Sequence, residues 1–366
     1  MITSAYVHIP FCNNICSYCD FCKNYYNKRI VNNYINSLEK EINDNYRKEK
    51  LNTIYIGGGT PSCLSDYELD NLFRVLNKFN LDNQYEFTFE CNYEDITEEF
   101  LLKLKQNKVN RLSIGIQSFN EKFKDILRRN INKDDMLKKI SLAKKYFDNI
   151  NVDLMYAIPG ESIDDLKKDL ETFVKLDVTH ISTYCLIIED NTKLKIDNVE
   201  EINEDLQNTM YYEIINYLKR HGYNQYEISN FSKKKYESKH NLNYWNNNFY
   251  YGFGAGASGF IDNIRYENTK SIHNYINNKN IYIEEYLDKD TLIKDEIMLN
   301  LRKTSGINLD NFYNKYHKRV EKLFDIDALI NQKLLIKNKN NIYIPENMLF
   351  VSNEIIIKLL DTYLNE

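Results

Sequence analysis

Short β-like apolar runs alternate with amphipathic helical stretches through the first half of the chain, and no other property narrows its fold as much. The runs occupy 5–9, 53–56, 86–90, 111–116, 151–155 and 180–186, and helical periodicity occupies 31–45, 66–77, 97–106, 134–146 and 163–176. Capping residues mark several helix starts: Ser65 before the second, Thr97 with Glu98 and Glu99 for the third, Ser162 with Asp165 for the fifth. Strand alternating with helix builds βαβ units and a parallel sheet. Six such units predict an α/β fold, an open, partial (β/α)6 barrel. Chemistry in such a barrel sits at the C-terminal ends of the strands.

Past residue 190 the rhythm changes. The spacing predicts a long helix over 202–220, an antiparallel segment over 222–228, an Asn/Tyr/Trp-rich loop over 239–251 and a glycine-rich run over 252–259. The Asn/Lys run 274–280 reads as a solvated loop. Helical patterns return from 291, with a short hairpin over 334–344 that resembles the wing of a winged helix. The chain therefore divides into a barrel (1–195), an α+β extension (196–288) and a C-terminal helical, winged-helix-like module (289–366).

Composition removes several function classes. At 366 residues the chain is long enough for two or three cores, and a net charge of -5 argues against general nucleic-acid binding. No apolar run approaches the roughly 20 residues a membrane helix needs, and the first residues, Met1-Ile2-Thr3-Ser4-Ala5, are not a signal peptide. Seven cysteines, an odd number, predict reduced thiols and a cytoplasmic protein.

Four of those cysteines fall within eleven residues. Cys12, Cys16 and Cys19 have the spacing C-x-x-x-C-x-x-C directly after the first strand run, and Cys22 follows three residues later. Three thiolates on one loop suit three irons of a cubane cluster and leave the fourth open to a small molecule, as catalysis or ligand binding requires. A structural zinc is the plainer alternative, although no second Cys/His pair supplies its fourth ligand. Cys22 is either an auxiliary ligand or a spare thiol.

Other strand ends carry candidates. Gly57-Gly58-Gly59-Thr60-Pro61 follows the second run; it is a tight turn or a backbone cradle for a ligand. Glu90 ends the third run, where a carboxylate can accept hydrogen bonds from a ribose or face an ammonium. Gln117 ends the fourth, and Arg129 lies twelve residues on, suited to pairing with a carboxylate. Asp153 sits inside an apolar strand, a costly place for a charge without a partner.

The segment Tyr6-Val7-His8-Ile9-Pro10-Phe11-Cys12 through Cys16-Ser17-Tyr18-Cys19-Asp20-Phe21 resembles the radical S-adenosylmethionine superfamily. The resemblance implies a [4Fe-4S] cluster on Cys12, Cys16 and Cys19. Its unique iron would chelate S-adenosyl-L-methionine, and an electron would cleave the sulfonium to a 5'-deoxyadenosyl radical. Tyr18 would lie near the adenine, and Gly58, Gly59 and Thr60 at the methionyl amino group.

Over nearly the whole chain the order of segments is similar to one branch, the oxygen-independent coproporphyrinogen III oxidases and the HemW-type heme chaperones. The match implies that Tyr6, Gly58, Glu90, Gln117, Arg129 and Asp153 line the S-adenosylmethionine pocket. Asn92-Tyr93 replaces the usual Asn-Pro, and Arg128-Arg129-Asn130-Ile131 replaces Gly-Arg-x-His. Three features point to the chaperones: Phe21 where the oxidases have a fourth cysteine, only eleven residues before Cys12, and His240-Asn241-Leu242-Asn243-Tyr244-Trp245. Heme would then be the bound cargo, with a reducing electron donor and respiratory heme-acceptor proteins as partners, no nucleic acid, and at most peripheral membrane contact. His240 is the candidate axial ligand, with Tyr244 and Trp245 stacking on the porphyrin; a packed aromatic loop is the alternative. The alternative activity is oxidative decarboxylation of coproporphyrinogen III. The run 254–259 matches G-x-G-x-x-G, but no clear βαβ unit surrounds it, so it does not predict a dinucleotide fold; in the resembled family it borders the S-adenosylmethionine site.

Overall fold

The computed structural model describes residues 1–279 and 281–364. Six strands, β1 (Ser4–Ile9), β2 (Lys50–Gly58), β3 (Asn80–Asn92), β4 (Arg111–Gln117), β5 (Asn149–Tyr156) and β6 (His180–Cys185), pair in parallel in sequential order. Helices α1 (Lys28–Asn45), α2 (Asp66–Leu76), α3 (Glu98–Gln106), α4 (Lys133–Ala143) and α5 (Ile163–Lys175) connect them. The capping signals hold: Ser65 N–H donates to Glu68 at 2.8 Å, and Asp165 N–H to Ser162 Oγ at 3.2 Å.

The next segment completes the sheet. After α6 (Glu204–Arg220) come β7 (Asn224–Gln225) and β8 (Asn230–Ser232), where β8 runs antiparallel to β6 and β7 pairs with β8. Following α7 (Lys239–Trp245), β9 (Tyr251–Phe253) lies parallel to β1 at the opposite edge. The resulting order is β9-β1-β2-β3-β4-β5-β6-β8-β7, with its outermost strands unpaired to each other, so the barrel is open. A separate antiparallel sheet holds β10 (Ser258–Ile261), β11 (Ile264–Asn268) and β12 (Ile281–Tyr286).

After α8 (Ile272–Ile276), the C-terminal module runs α9 (Lys289–Asn300), β13 (Ile307–Asn308), α10 (Leu309–Tyr316), α11 (Val320–Leu323), α12 (Ile326–Asn331), the hairpin β14 (Ile336–Asn338) and β15 (Asn341–Tyr343), then α13 (Ser352–Leu360). These five helices and the three-stranded sheet ordered β13-β15-β14 give the winged-helix-like arrangement.

Two expected loops are partly helical. Ser238 Oγ accepts from Asn241 N–H at 3.2 Å and starts α7 inside 239–251. The run 274–280 begins within α8, where Tyr275 is buried; Asn280 lies outside the described residues.

Period-two alternation decides which face of the barrel is which. Val7, Ile54, Ile56, Phe87, Phe89, Leu112, Ile114, Val152, Leu154 and Ile181 are buried against the helix layer. The residues between them point to the opposite face, and they are polar. Thr53 Oγ1 donates to Ser4 Oγ (2.8 Å), Tyr55 OH to Glu90 (2.6 Å), and Asn151 Nδ2 to Ser113 Oγ and Asp153 (2.8 Å each). Closed eight-stranded (β/α) barrels fill that space with branched aliphatic side chains; in this open barrel a hydrogen-bonded lining takes their place.

One buried carboxylate fastens the later segments to the barrel. Glu41 of α1 accepts from Gly254 N–H (2.9 Å), Asn268 Nδ2 (2.7 Å) and Tyr275 OH. Burial pushes its carboxyl above the ordinary range, with the three donors acting against that shift. Glu41→Ala leaves these donors without a partner and is expected to cost about 3 kcal/mol of unfolding free energy. Glu39→Ala, one turn-half away, removes only a surface pair with Arg74 and Lys78 and should cost under about 1 kcal/mol. Chemical denaturation of the two variants checks this; equal losses would remove Glu41 from its anchoring role.

Candidate functional site

The cysteine loop leaves the C-terminal end of β1 and is clamped at its base. Phe11–Cys12 form a short parallel ladder with Asn24–Tyr25, with Asn24 N–H donating to Pro10 O at 2.6 Å and Tyr26 N–H to Cys12 O at 2.8 Å. All of Cys12, Cys16, Cys19 and Cys22 lie within this loop as free thiols. The glycine segment after β2 closes onto it: Gly59 N–H donates to Ile9 O (2.9 Å) and Thr60 N–H to Phe11 O (2.7 Å). A Cβ on Gly59 would lie 2.7 Å from Phe11 O and 2.9 Å from Cys12 Sγ, so only glycine permits this approach.

The thiols have distinct surroundings. Cys12 is buried, and burial pushes its thiol up to about 11 while the Thr60 hydroxyl, 3.5 Å away, acts in the opposite sense. Burial also raises Cys19. Arg129 Nη1 donates to Cys16 Sγ at 3.5 Å. Thiols of this kind ionise on binding metal. Among the described residues no three His, Cys, Asp or Glu side chains converge as ligands of a single ion would. The donor set is three free thiols on one short loop beside a guanidinium, which fits a cluster ligated by three sulfurs.

The wall beside the loop comes from successive strand ends. Glu90 accepts from Tyr55 OH (2.6 Å) and Gly58 N–H (3.1 Å), and burial, with Asp153 nearby, pushes its carboxyl up to about 7. Burial pushes Asp153 up to about 6, opposed first by the bond from Asn151. The pairing of β4 with β5 shifts register between Gly115 and Gln117, and Gln117 stands at φ +71°. Arg129 Nη2 donates to Gly115 O (2.8 Å) and Asn92 Oδ1 (3.1 Å). Burial works against its charge, yet Tyr18 and Cys16 beside it hold the guanidinium above its usual value.

A cleft of about 520 Å³ opens between these elements. It brings together Tyr6, Gly58 and Glu90 from the expected set, with Phe21 and Cys22 from the loop and Tyr244, Tyr250 and Lys270 from the extension. Cys22 is thus in the cleft wall. The glycine-rich run borders it through Gly256 and Ser258. His8 was not expected: its Nδ1 meets Tyr6 OH at 2.9 Å and its Nε2 meets Cys22 O at 2.7 Å. The signal was present in the sequence, because His8 follows Tyr6 at the two-residue spacing that puts both on one strand face.

His240 is placed elsewhere. It is 1% exposed, with Nδ1 2.7 Å from Thr53 Oγ1, Nε2 2.8 Å from Tyr244 OH, and its ring stacked on Tyr55. Neither nitrogen is free for a heme iron in this arrangement. Trp245 lies under the Arg302 guanidinium and does not line the cleft. A smaller cavity of about 290 Å³, between α6 and the C-terminal hairpin, contains no residue of the cysteine loop.

The sequence pattern of the radical SAM superfamily matches residues 6–173. The chain is 40% identical to the heme chaperone HemW of Lactococcus lactis subsp. lactis (strain IL1403) over 369 aligned residues, covering 98% of this chain and 97% of that protein. It is 37% identical to the heme chaperone HemW of Bacillus subtilis (strain 168), covering 83% and 84%, and 32% identical to that of Escherichia coli (strain K12), covering 74% of each. Coproporphyrinogen III oxidase (HemN) from Escherichia coli has the same fold, with a TM-score of 0.85 at 20% identity over 99% of this chain and 91% of that one. With the three-cysteine loop at the mouth of an open barrel and this end-to-end likeness, the chain belongs to the radical SAM superfamily and, within it, to the family of HemW heme chaperones.

Proposed function

We propose that this protein is a radical SAM-type heme chaperone, carrying a [4Fe-4S] cluster and S-adenosylmethionine, that receives heme and hands it to respiratory proteins. The observation that carries the reading is 40% identity to a heme chaperone along 98% of the chain, with Cys12, Cys16 and Cys19 on one clamped loop. When bound, the cluster supplies the electron for reductive cleavage of S-adenosylmethionine, and a reducing protein or cofactor must recharge it. Cys12, Cys16 and Cys19 are the ligands in this reading. Gly58, Gly59 and Thr60 offer backbone and hydroxyl groups to the methionyl end, Tyr18 the face for adenine, and Glu90 a carboxylate for ribose or ammonium. Tyr6 lines the cleft beside Glu90. Arg129 holds the loop to β4 through Cys16, and Gln117 and Asp153 complete the polar wall.

The labour divides along the chain: 1–195 for cluster and S-adenosylmethionine, 196–288 for the far wall of the cleft, and 289–366 as a supporting module. No described helix is long and apolar enough to cross a membrane, and we place the protein's work in the cytoplasm. His240 acts as a fastener between β2 and α7 and is not assigned to iron.

Anaerobic reconstitution should yield about four irons per chain, and Cys16→Ala should lose most of them; a Cys16→Ala protein with full iron and an unchanged cluster spectrum sinks the cluster assignment. With reduced cluster and S-adenosylmethionine present, coproporphyrinogen III should stay unchanged; several turnovers to protoporphyrinogen IX would make the protein an oxidase instead.

Glu90 gives a pH prediction. Its folded-state value, about 7, stands above the ordinary 4.5, so the ligand-free protein binds an extra proton when folded. Stability from this group is full below about 4.5 and is lost as the pH rises toward about 7. Glu90→Gln does not titrate, so it should gain on the parent across that window by on the order of 2 kcal/mol. The same variant should bind S-adenosylmethionine about tenfold more weakly. Denaturation at several pH values and calorimetric binding check both halves; a pH-independent difference would contradict the buried, ionising carboxyl.

A further inference from the structure

Strand alternation turns one basic side chain into the barrel near its floor. Arg111 opens β4, two residues before Ser113, and shares its inward face. It is only 2% exposed, yet among the described residues its guanidinium joins no ion pair: Nη1 donates to Thr88 Oγ1 at 3.4 Å, and Nε has no partner. A buried cation without a paired anion is costly, and an apolar side chain of similar volume would suit the fold better. The charges it answers to therefore lie further off, in the same lining.

Strand register identifies them. Glu90 on β3 lies opposite Ser113, and Asp153 on β5 lies opposite Gly115, so Glu90 is one inward step above Arg111 and Asp153 two. A strand spacing of about 4.8 Å and a two-residue rise of about 6.6 Å set the Glu90 and Arg111 Cα atoms roughly 8 Å apart. Burial pushes Glu90 up to about 7 and Asp153 up to about 6, and Arg111 is among the groups that act on both in the opposite sense. The other groups facing this lining are engaged or uncharged. Arg129 is held by Cys16, Asn92 and Gly115, and Glu86 accepts from the Lys239 and His240 N–H groups at 3.1 Å each. Glu227 faces Asn230 and Arg302. Burial keeps the His180 and His240 imidazoles neutral, and it keeps Tyr6, Tyr55, Tyr184 and Tyr226 in their phenol forms.

Resting on the reading of this cleft as the S-adenosylmethionine site, we propose that Arg111 is a positioning residue, the counter-cation on the barrel floor that favours the charged forms of Glu90 and Asp153 and so makes the site select a sulfonium over a neutral thioether. Arg111 does not line the cleft itself, and no bond forms or breaks at it. Its charge stays beneath the two carboxylates, and theirs face the ammonium and sulfonium above.

The test is an anaerobic calorimetric titration of the cluster-loaded protein with S-adenosylmethionine and with S-adenosylhomocysteine, repeated across the neutral pH range. The parent should prefer the sulfonium, with its affinity rising as the pH passes about 7. Arg111→Met should keep the parental iron content and bind S-adenosylmethionine about tenfold more weakly at neutral pH, with a smaller loss for S-adenosylhomocysteine. Its affinity should recover about one pH unit higher than in the parent. Arg111→Lys retains the charge and should retain the parental pH midpoint. An Arg111→Met protein with the parental midpoint and preference, or an Arg111→Lys protein displaced as far as Arg111→Met, overturns this proposal and leaves the site reading standing. Should Arg111→Met not fold, infrared spectra of the ligand-free parent and Glu90→Gln decide. The Glu90 carbonyl band should be half gone at about pH 7; a band still intact at about pH 8, as for a buried carboxyl with no cation near it, overturns the proposal. A parent that binds neither nucleoside overturns the site reading and this proposal with it.

Discussion

The hydrogen bond from His8 to the Cys22 carbonyl ties the far end of the cysteine loop to β1. A loop with three metal-binding thiols has little regular structure of its own, and its shape must be imposed from outside. His8 does this from β1 because one imidazole both accepts from Tyr6 and donates to the loop. Those two roles require the neutral ring with its proton on Nε2. Burial supplies that condition by lowering the imidazole to about 4, so it stays neutral at physiological pH. The other clamps act on the opposite flank, where the Gly59 and Thr60 amides reach Ile9 O and Phe11 O. The loop is thus held by strand backbone, by the His8 imidazole and, at Cys16, by the Arg129 guanidinium.

A polar barrel interior is a cost the fold accepts for a purpose. The Thr53, Tyr55, Glu90, Asn151 and Asp153 side chains would be better replaced by Val or Ile if stability were the sole requirement. Their hydrogen bonds repay only part of the desolvation. Glu90 and Asp153 remain raised, to about 7 and about 6, because burial outweighs the donors around them. Such perturbation is common where a ligand supplies the missing charge. The helix-facing residues, Val7 to Ile181, carry the core instead, and Glu41 ties the glycine-rich strand and α8 to it.

Much of this was legible in the sequence because strand and helix are local properties. The run at 111–116 becomes Arg111–Gln117, that at 180–186 becomes His180–Cys185, and Ser162 with Asp165 starts α5 as its spacing requires. The cysteine spacing was equally legible, since three ligands on one loop need no tertiary information. What escaped depends on partners far along the chain. His8 acquires its role from Cys22 and α7 its stability from Glu86, whose carboxylate accepts from the His240 N–H at 3.1 Å. The inward polar face escaped for another reason: the runs were read as apolar, although every second residue from Thr53 to Tyr55 and from Asn151 to Asp153 was not.

His240 shows why a motif's residues do not all share one task. In His240-Asn241-Leu242-Asn243-Tyr244-Trp245, helical geometry puts His240 and Tyr244 on one face, four residues apart. The histidine turns inward to Thr53 and the tyrosine bridges outward, with its hydroxyl on the imidazole and its ring in the cleft wall. Trp245, one step round the helix, faces Arg302 and the C-terminal module. The same six residues therefore join three bodies: the barrel through His240, the cleft through Tyr244 and the terminal module through Trp245. A substitution at His240 moves the tyrosine that walls the cleft, so loss of cargo in such a variant reports displaced packing as readily as a lost iron ligand, and only the ligand field of the bound heme separates the two.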